Sequence, residues 1–120
     1  MTLLAVALAG ALGAPARFLV ERAISARRGR RFPWGTLVVN VTGSFALGFV
    51  TGLALYHGLA TTPKTVIGMG FIGAYTTFST YAYETVDVAK RASSRLAGSY
   101  AIVSIAAGVA AATLGLVLAV

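Results

Sequence analysis

The sequence of 120 residues contains no cysteine, one histidine and only three acidic residues. Without cysteine, the chain can form neither a disulfide nor a thiolate metal site. His57 has no nucleophile or second metal ligand at a suitable spacing, so no enzyme active site is expected. The acidic residues, Glu21, Glu84 and Asp87, lie toward the basic ends of apolar segments. The middle of each apolar segment therefore carries no carboxylate.

What the sequence has in abundance is apolar surface. Hydrophobic residues make up 58% of the chain and charged residues 11%, and the mean hydropathy is +0.83. Windows at 2–22, 34–56, 64–89 and 96–119 are each long enough to cross about 30 Å of hydrocarbon as a helix. We therefore predict an all-α membrane protein, in which residues 1–120 form one domain of four transmembrane helices.

The basic residues are distributed unequally between the two ends of these windows. Nine of the ten lie toward one membrane face, and only Lys64 lies toward the other; the nine are Arg17, Arg22, Arg27, Arg28, Arg30, Arg31, Lys90, Arg91 and Arg95. The positive-inside rule places both basic loops in the cytoplasm and both termini outside, in the cell membrane. Aromatic residues do not interleave with these bases, so the net charge of +7 indicates a lipid bilayer and not nucleic acid as the partner.

The third window contains GAYTTFSTY at 73–81, a polar and aromatic stretch without charge. Glycines at 68, 70 and 73 weaken the helix before it, and the following hydroxyls can compete for backbone hydrogen bonds. We predict a helix break near 73–77, where exposed carbonyls and amides could coordinate ions. Beyond the break, Phe78 and Tyr81 share a face. Such a stripe can serve packing alone, but its alternation with hydroxyl residues favours a polar pathway.

Small and polar residues also form stripes on the second and fourth windows. Asn40, Ser44 and Gly48 follow at intervals of four, and an asparagine there can either hold helices together or line a pore. The fourth window repeats this spacing more weakly, with Tyr100, Ser104 and Gly108.

Arg17 lies deeper in the first window than the other bases. One interpretation is a membrane anchor that pairs with Glu21 four residues later. The alternative is a functional position near the polar pathway.

Three motifs, GALGAPARF at 10–18, WGTLVVNVTGSFALG at 34–48 and GMGFIGAYTTFSTY at 68–81, occur in a chain of four spans. In their order and spacing, the chain resembles the small fluoride channels of the Fluc or CrcB family along nearly its whole length. The resemblance implies an antiparallel, dual-topology dimer of identical or related chains. It also implies two fluoride pathways and a structural sodium ion (Na⁺) on the central axis.

The resemblance further implies roles for individual residues. The carbonyls of Gly73 and Thr76 would hold the sodium ion together with those of a second subunit. Phe78 and Tyr81 would turn ring edges, which are electropositive, toward fluoride, and Asn40 would donate a hydrogen bond to it. The remaining lining residues would be Thr77, Thr80, Tyr100 and Ser104, with Arg17 in a basic vestibule.

Two positions depart from the family pattern: Tyr81 stands where phenylalanine is common, and Gly108 stands where a hydroxyl residue is more usual. Together with the unequal charge, they favour one half of a heterodimer over a homodimer.

Two other functions compete with this one. A small multidrug exporter would need a titratable carboxylate at membrane depth, which this chain lacks. A subunit that does not conduct, and only supports a partner, is the second alternative. We expect passive, fluoride-selective transport out of the cell that reduces fluoride toxicity.

Overall fold

The computed structural model describes all 120 residues and contains only helices, turns and short connections. In chain order the elements are α1 (Thr2–Arg28), α2 (Trp34–Tyr56), α3 (Thr61–Thr65), a π-helical segment (Val66–Ile72), α4 (Gly73–Tyr75), α5 (Phe78–Arg91) and α6 (Ser94–Leu118). By length and composition, α1, α2 and α6 could each cross a membrane. The predicted third span corresponds to the interrupted run from α3 to α5.

The helix boundaries agree closely with the predicted windows, except at the end of α1. This helix continues to Arg28, past the predicted end at residue 22, and stops at Gly29, whose φ of 75° favours glycine. The extension has a simple cause, because arginine is a good helix former and the helix can continue beyond the apolar region. The second window was predicted at the bounds that α2 has.

The third span is less regular than the others along much of its length. Its π-helical segment contains Gly68 and Gly70, and the helix then stops completely at Thr76 and Thr77, which have extended backbones. The prediction of a break near 73–77 is therefore confirmed. The π-helical segment before it was not predicted.

Small residues bring the helix backbones into contact. Helices α2 and α6 run parallel, with Gly48 packed on the backbone of Ala112 and Gly115 packed on that of Phe45. On the other side, Gly13 of α1 packs on the carbonyl of Phe71 in the π-helical segment. Close packing of this kind stabilises helix pairs in lipid, where burying apolar side chains gains little. The predicted small stripe on the second span is thus a packing surface.

The outer surface of the chain is apolar, and only 18 of its 120 residues are buried. The basic ends of α1 and α5 and the start of α6 lie together at one end of the bundle, because Arg30 and Arg91 line one cleft and Arg31 and Arg95 another. An apolar lateral surface with one basic end is expected of a membrane protein.

The α2–α6 packing can be tested with Gly48→Ala. A Cβ at residue 48 would overlap the backbone of Ala112, so we expect the free energy of unfolding to fall by about 1–3 kcal/mol. Gly98→Ala in α6 is the matched control, because a Cβ there would have no atom within 4 Å. Detergent-induced unfolding in micelles gives both values. Equal stability of the two variants would contradict the packing described here.

Candidate functional site

The break in the third span is the one place where the backbone leaves helical geometry in the interior of a predicted span. Thr76 has φ and ψ of −78° and 160°, and Thr77 has −149° and 122°. In a continuous helix, the amide of Thr77 would donate to the carbonyl of Gly73, and the carbonyl of Thr76 would accept from Thr80. Both partners are lost at the break, so these backbone groups need others.

Asn40 of α2 supplies partners for both backbone groups of Thr77. Its Nδ2 donates to the Thr77 carbonyl oxygen at 2.8 Å, and its Oδ1 accepts from the Thr77 amide at 2.8 Å. This pair of bonds resembles the pairing of neighbouring strands and ties α2 to the break. The side chain holds elements together, as one of the two sequence interpretations proposed. The second N–H of Nδ2 is not used in this pair.

Arg17 of α1 reaches the same break. Its guanidinium donates to the Thr76 carbonyl oxygen at 3.1 Å. The ion pair with Glu21 that the sequence allowed is not formed, since the single salt bridge in the structure joins Arg91 to Asp87. Arg17 therefore places a positive charge beside one of the two carbonyls that the family resemblance assigns to sodium.

Thr77 also begins the helix that follows the break. Its Oγ1 accepts from the amide of Thr80 at 3.2 Å and donates to Thr80 Oγ1 at 3.0 Å. Thr76 Oγ1 donates to the Ile72 carbonyl at 3.0 Å. The Thr76 side chain fits against α2 because residue 43 is glycine, where a Cβ would overlap Thr76 Cγ2. The threonine hydroxyls at the break thus stabilise the local structure. Each of them still has a free lone pair or a rotatable proton.

Aromatic rings continue from the break toward the basic end of the chain. The centroids of Phe78 and Tyr81 are 5.7 Å apart, and those of Tyr81 and Tyr100 are 5.6 Å apart. Phe32 meets Tyr100 edge-on at 5.4 Å. Tyr100 is fully buried, whereas Phe78 is 79% exposed on the surface of the single chain. The structure therefore brings the predicted Phe78, Tyr81 and Tyr100 into one series and adds Phe32 to it.

Polar groups of α5 and α6 lie beside this series. The hydroxyl of Tyr100 donates to Glu84 Oε2 at 2.9 Å, and Tyr81 donates to the Ala101 carbonyl at 3.3 Å. Ser104, one turn beyond Tyr100, has a buried Oγ without a hydrogen-bond partner within the chain. Ser104 is therefore the predicted lining residue with an unused hydroxyl.

Sequence reasoning did not assign Glu84 or Phe32 to the site. Glu84 does carry a sequence signal, because it lies in one row with Thr76 and Thr80 at intervals of four, but this row alone assigns it no role. Phe32 had no such signal, since it lies in the connection between α1 and α2 and no helical period applies there. Both residues line a cleft of about 890 Å³ that opens at the basic end, together with Thr36.

The chemistry available at the break is limited to hydroxyls, one amide, one guanidinium, aromatic rings and backbone groups. No group of histidine and acidic residues that could bind a metal ion occurs in the structure. Apart from the guanidinium, this set can contact a small anion through neutral donors and ring edges, without a strong ionic bond. The backbone carbonyls of the break are the oxygen ligands that a hard cation prefers.

Comparison with known proteins gives two results. A model of the family described as CrcB-like protein, Camphor Resistance (CrcB), matches residues 4–116. A protein of Symbiobacterium thermophilum named Fluoride-specific ion channel FluC 1 is 46% identical over 120 residues, covering 98% of this chain and 97% of that protein.

Two further relatives have similar names. Fluoride-specific ion channel FluC 1 of Leifsonia xyli subsp. xyli is 50% identical over 97 residues, which cover 81% of this chain and 71% of that protein. Fluoride-specific ion channel FluC 2 of Mycobacterium tuberculosis is 46% identical over 110 residues, which cover 92% and 84% of the two chains.

The role of Asn40 in the break can be tested with Asn40→Ala. Truncation leaves the amide and the carbonyl of Thr77 without partners, and each unpaired buried group costs about 1–3 kcal/mol. We expect faster hydrogen exchange at the amides of residues 77–81, measured by mass spectrometry in micelles. Thr51→Ala on the same helix is the control, because the Thr51 hydroxyl bonds only its own helix, at the Leu47 carbonyl. Unchanged exchange in Asn40→Ala would show that the break is held by other contacts.

Proposed function

The chain belongs to the CrcB family, and we propose that it conducts fluoride passively and selectively out of the cell across the cytoplasmic membrane, which lowers fluoride toxicity. The predicted resemblance to this family is confirmed by the match over residues 4–116. The observation that supports the function is the helix break, where the Asn40 amide and the threonine hydroxyls lie next to the rings of Phe78 and Tyr81 within an apolar span. The names of the relatives, fluoride-specific ion channels, support the same function.

Fluoride is small and strongly hydrated, so a selective path must replace its water with donors that do not trap it. The unused N–H of Asn40 is such a donor, beside the break. Phe78 and Tyr81 offer ring edges, and the Ser104 hydroxyl continues the path on α6. Tyr81 turns its own hydroxyl to the Ala101 carbonyl, so its ring can act as the phenylalanine common at this position would.

A second subunit of opposite orientation completes this path in our proposal. Phe78 is 79% exposed on the single chain, although it begins the aromatic series. A path for an anion needs walls on every side, because lipid on one side would leave the ion without ligands. An antiparallel, dual-topology dimer gives Phe78 a protein neighbour and produces two such paths.

Fluoride efflux from liposomes that contain the purified chain tests the function. We expect fluoride to leave without a proton gradient and chloride to be retained. Asn40→Asp should block efflux, because it places a negative charge in an anion path. Phe78→Ile should reduce efflux by at least about tenfold through the loss of a favourable ring edge, worth about 1.4 kcal/mol or more in the barrier.

Thr51→Ala serves as the control variant for these measurements, since its side chain lies away from the break. Equal efflux of chloride and fluoride, or efflux that requires a proton gradient, would overturn the proposal. Fluoride efflux at the rate of the unmodified chain in both Asn40→Asp and Phe78→Ile would mean that these side chains serve packing only.

A structural sodium ion at the break is a second part of the proposal. The Gly73 carbonyl has lost the Thr77 amide as its helical donor, since that amide bonds Asn40. The Thr76 carbonyl accepts from Arg17 and keeps one lone pair. These oxygens suit a hard cation, and one chain alone offers too few of them. We therefore place sodium between the Gly73 and Thr76 carbonyls of two subunits, with Arg17 turned away from Thr76.

Sodium should accordingly stabilise the dimer. Replacing sodium with choline at equal ionic strength should shift the protein toward monomers in dilute micelles, as measured by size-exclusion chromatography with light scattering. At a sodium concentration 100-fold above Kd, the stabilisation would be about 2.7 kcal/mol. Dimer dissociation that is identical in the two salts would contradict a sodium site at the subunit interface.

The partner subunit that we propose is a related chain and not a second copy. The four arginines between residues 27 and 31 lie at the same end as Lys90, Arg91 and Arg95. Moving such charges outward is opposed by about 2.3 kcal/mol per charge per 100 mV of membrane potential. A chain with this distribution should insert mainly in one orientation, with both termini outside, so a partner with the opposite charge distribution would complete the antiparallel dimer.

A topology reporter fused to the C-terminus tests this orientation. We expect a mainly extracellular signal and little protection from fluoride when the chain is expressed alone. Replacing Arg27, Arg28, Arg30 and Arg31 with serine should produce a more even distribution of the signal. An even split for the unmodified chain, together with full fluoride resistance, would show that it works as a homodimer.

A further inference from the structure

The basic end of the molecule contains two clefts with different charge. The larger one, described above, is lined by all three acidic residues of the chain as well as by arginines. The smaller cleft has a volume of about 380 Å³ and no acidic lining residue; it is lined by Arg31, Ala92, Ser93, Arg95, Leu96 and Ser99. Positive charge is therefore balanced in the first cleft and unbalanced in the second.

The two arginines of the smaller cleft also differ from three others, whose side chains are engaged within the chain. Arg17 donates to the Thr76 carbonyl, Arg28 lies over the ring of Trp34 at 5.4 Å, and Arg91 pairs with Asp87. The side chains of Arg31 and Arg95 form no hydrogen bond within the chain, and they form no ion pair because the only salt bridge joins Arg91 to Asp87. Two guanidinium groups that share one cleft can bind a single anion bidentately.

The other walls of this cleft indicate the kind of anion. Ser93 and Ser99 are hydroxyl residues, Ala92 and Leu96 are apolar, and the cleft lies at the start of the 25-residue helix α6, whose positive end favours an anion. Val103 follows Ser99 by one turn on the same face of α6 and is 46% exposed. A basic, polar cleft next to an apolar helix face is complementary to a molecule with a phosphate group and acyl chains.

We propose that this cleft binds the phosphate of an anionic phospholipid, with Arg31 and Arg95 on the phosphate and an acyl chain along α6. The site lies where the lipid headgroups of the predicted cytoplasmic leaflet would be. It is separate from the fluoride path, since neither arginine lines the larger cleft or contacts the break. It would fasten the turn between α5 and α6 to the connection between α1 and α2.

Native mass spectrometry of the chain in its assembled form tests the site. The protein is incubated with equal amounts of phosphatidylglycerol and phosphatidylcholine, and the retained lipid is counted. Two arginine contacts correspond to a preference of roughly 30-fold for the anionic lipid. The double variant R31Q/R95Q should lose this preference. The matched control R27Q/K90Q removes the same charge from the same end, at residues that line neither cleft, and should keep it.

Every other outcome counts against the proposal. No preference in the unmodified chain, or an equal loss in both double variants, would mean only a diffuse attraction to basic surface. Displacement of phosphatidylglycerol by inorganic phosphate, in roughly 10-fold molar excess over the lipid, would assign the cleft to free phosphate. If R31Q/R95Q does not fold, R31K/R95K replaces it. This variant keeps the charge but loses the planar fork, so full retention of the preference would overturn bidentate binding.

Discussion

A backbone amide or carbonyl without a partner at membrane depth costs several kcal/mol, and this constraint shapes the whole third span. The chain can interrupt that helix only because side chains from other helices replace the lost backbone bonds. Asn40 bonds both backbone groups of Thr77, and Arg17 bonds the carbonyl of Thr76. The polar residues that look anomalous in an apolar sequence are therefore required by the break before any ion is considered.

Close packing of small residues makes these bonds possible. Gly13 lets α1 lie against the π-helical segment, and Gly43 leaves room on α2 for the side chain of Thr76. A Cβ at residue 13 would overlap the Phe71 backbone, and one at residue 43 would overlap the Thr76 side chain, so larger residues would disturb the approach of α1 and α2 to the break. The spacing of the helices therefore determines where the donors of Asn40 and Arg17 lie relative to the break.

The same residues support structure and transport in our proposal. Asn40 has one N–H more than the Thr77 backbone uses, and the hydroxyls at the break have capacity beyond their internal bonds. Uncharged donors that bind an ion only weakly suit an anion that must leave as easily as it enters. Arg17 adds a single charge at the carbonyl end of the break, which couples the position of that side chain to any cation bound there.

The sequence by itself determined the number and place of the apolar segments, the basic end and the break, because hydropathy, charge and glycine content act over short stretches of chain. Its motifs also predicted most of the residues that the structure brings together at the break and in the aromatic series. Only the tertiary structure decided what those residues contact. Asn40 bonds to Thr77, which lies 37 positions later, and Arg17 bonds to the Thr76 carbonyl instead of Glu21. Phe32 contacts the aromatic series from a connecting segment. These contacts join parts of the chain that are distant in sequence, and they depend on how closely the helices approach one another, which no local pattern records.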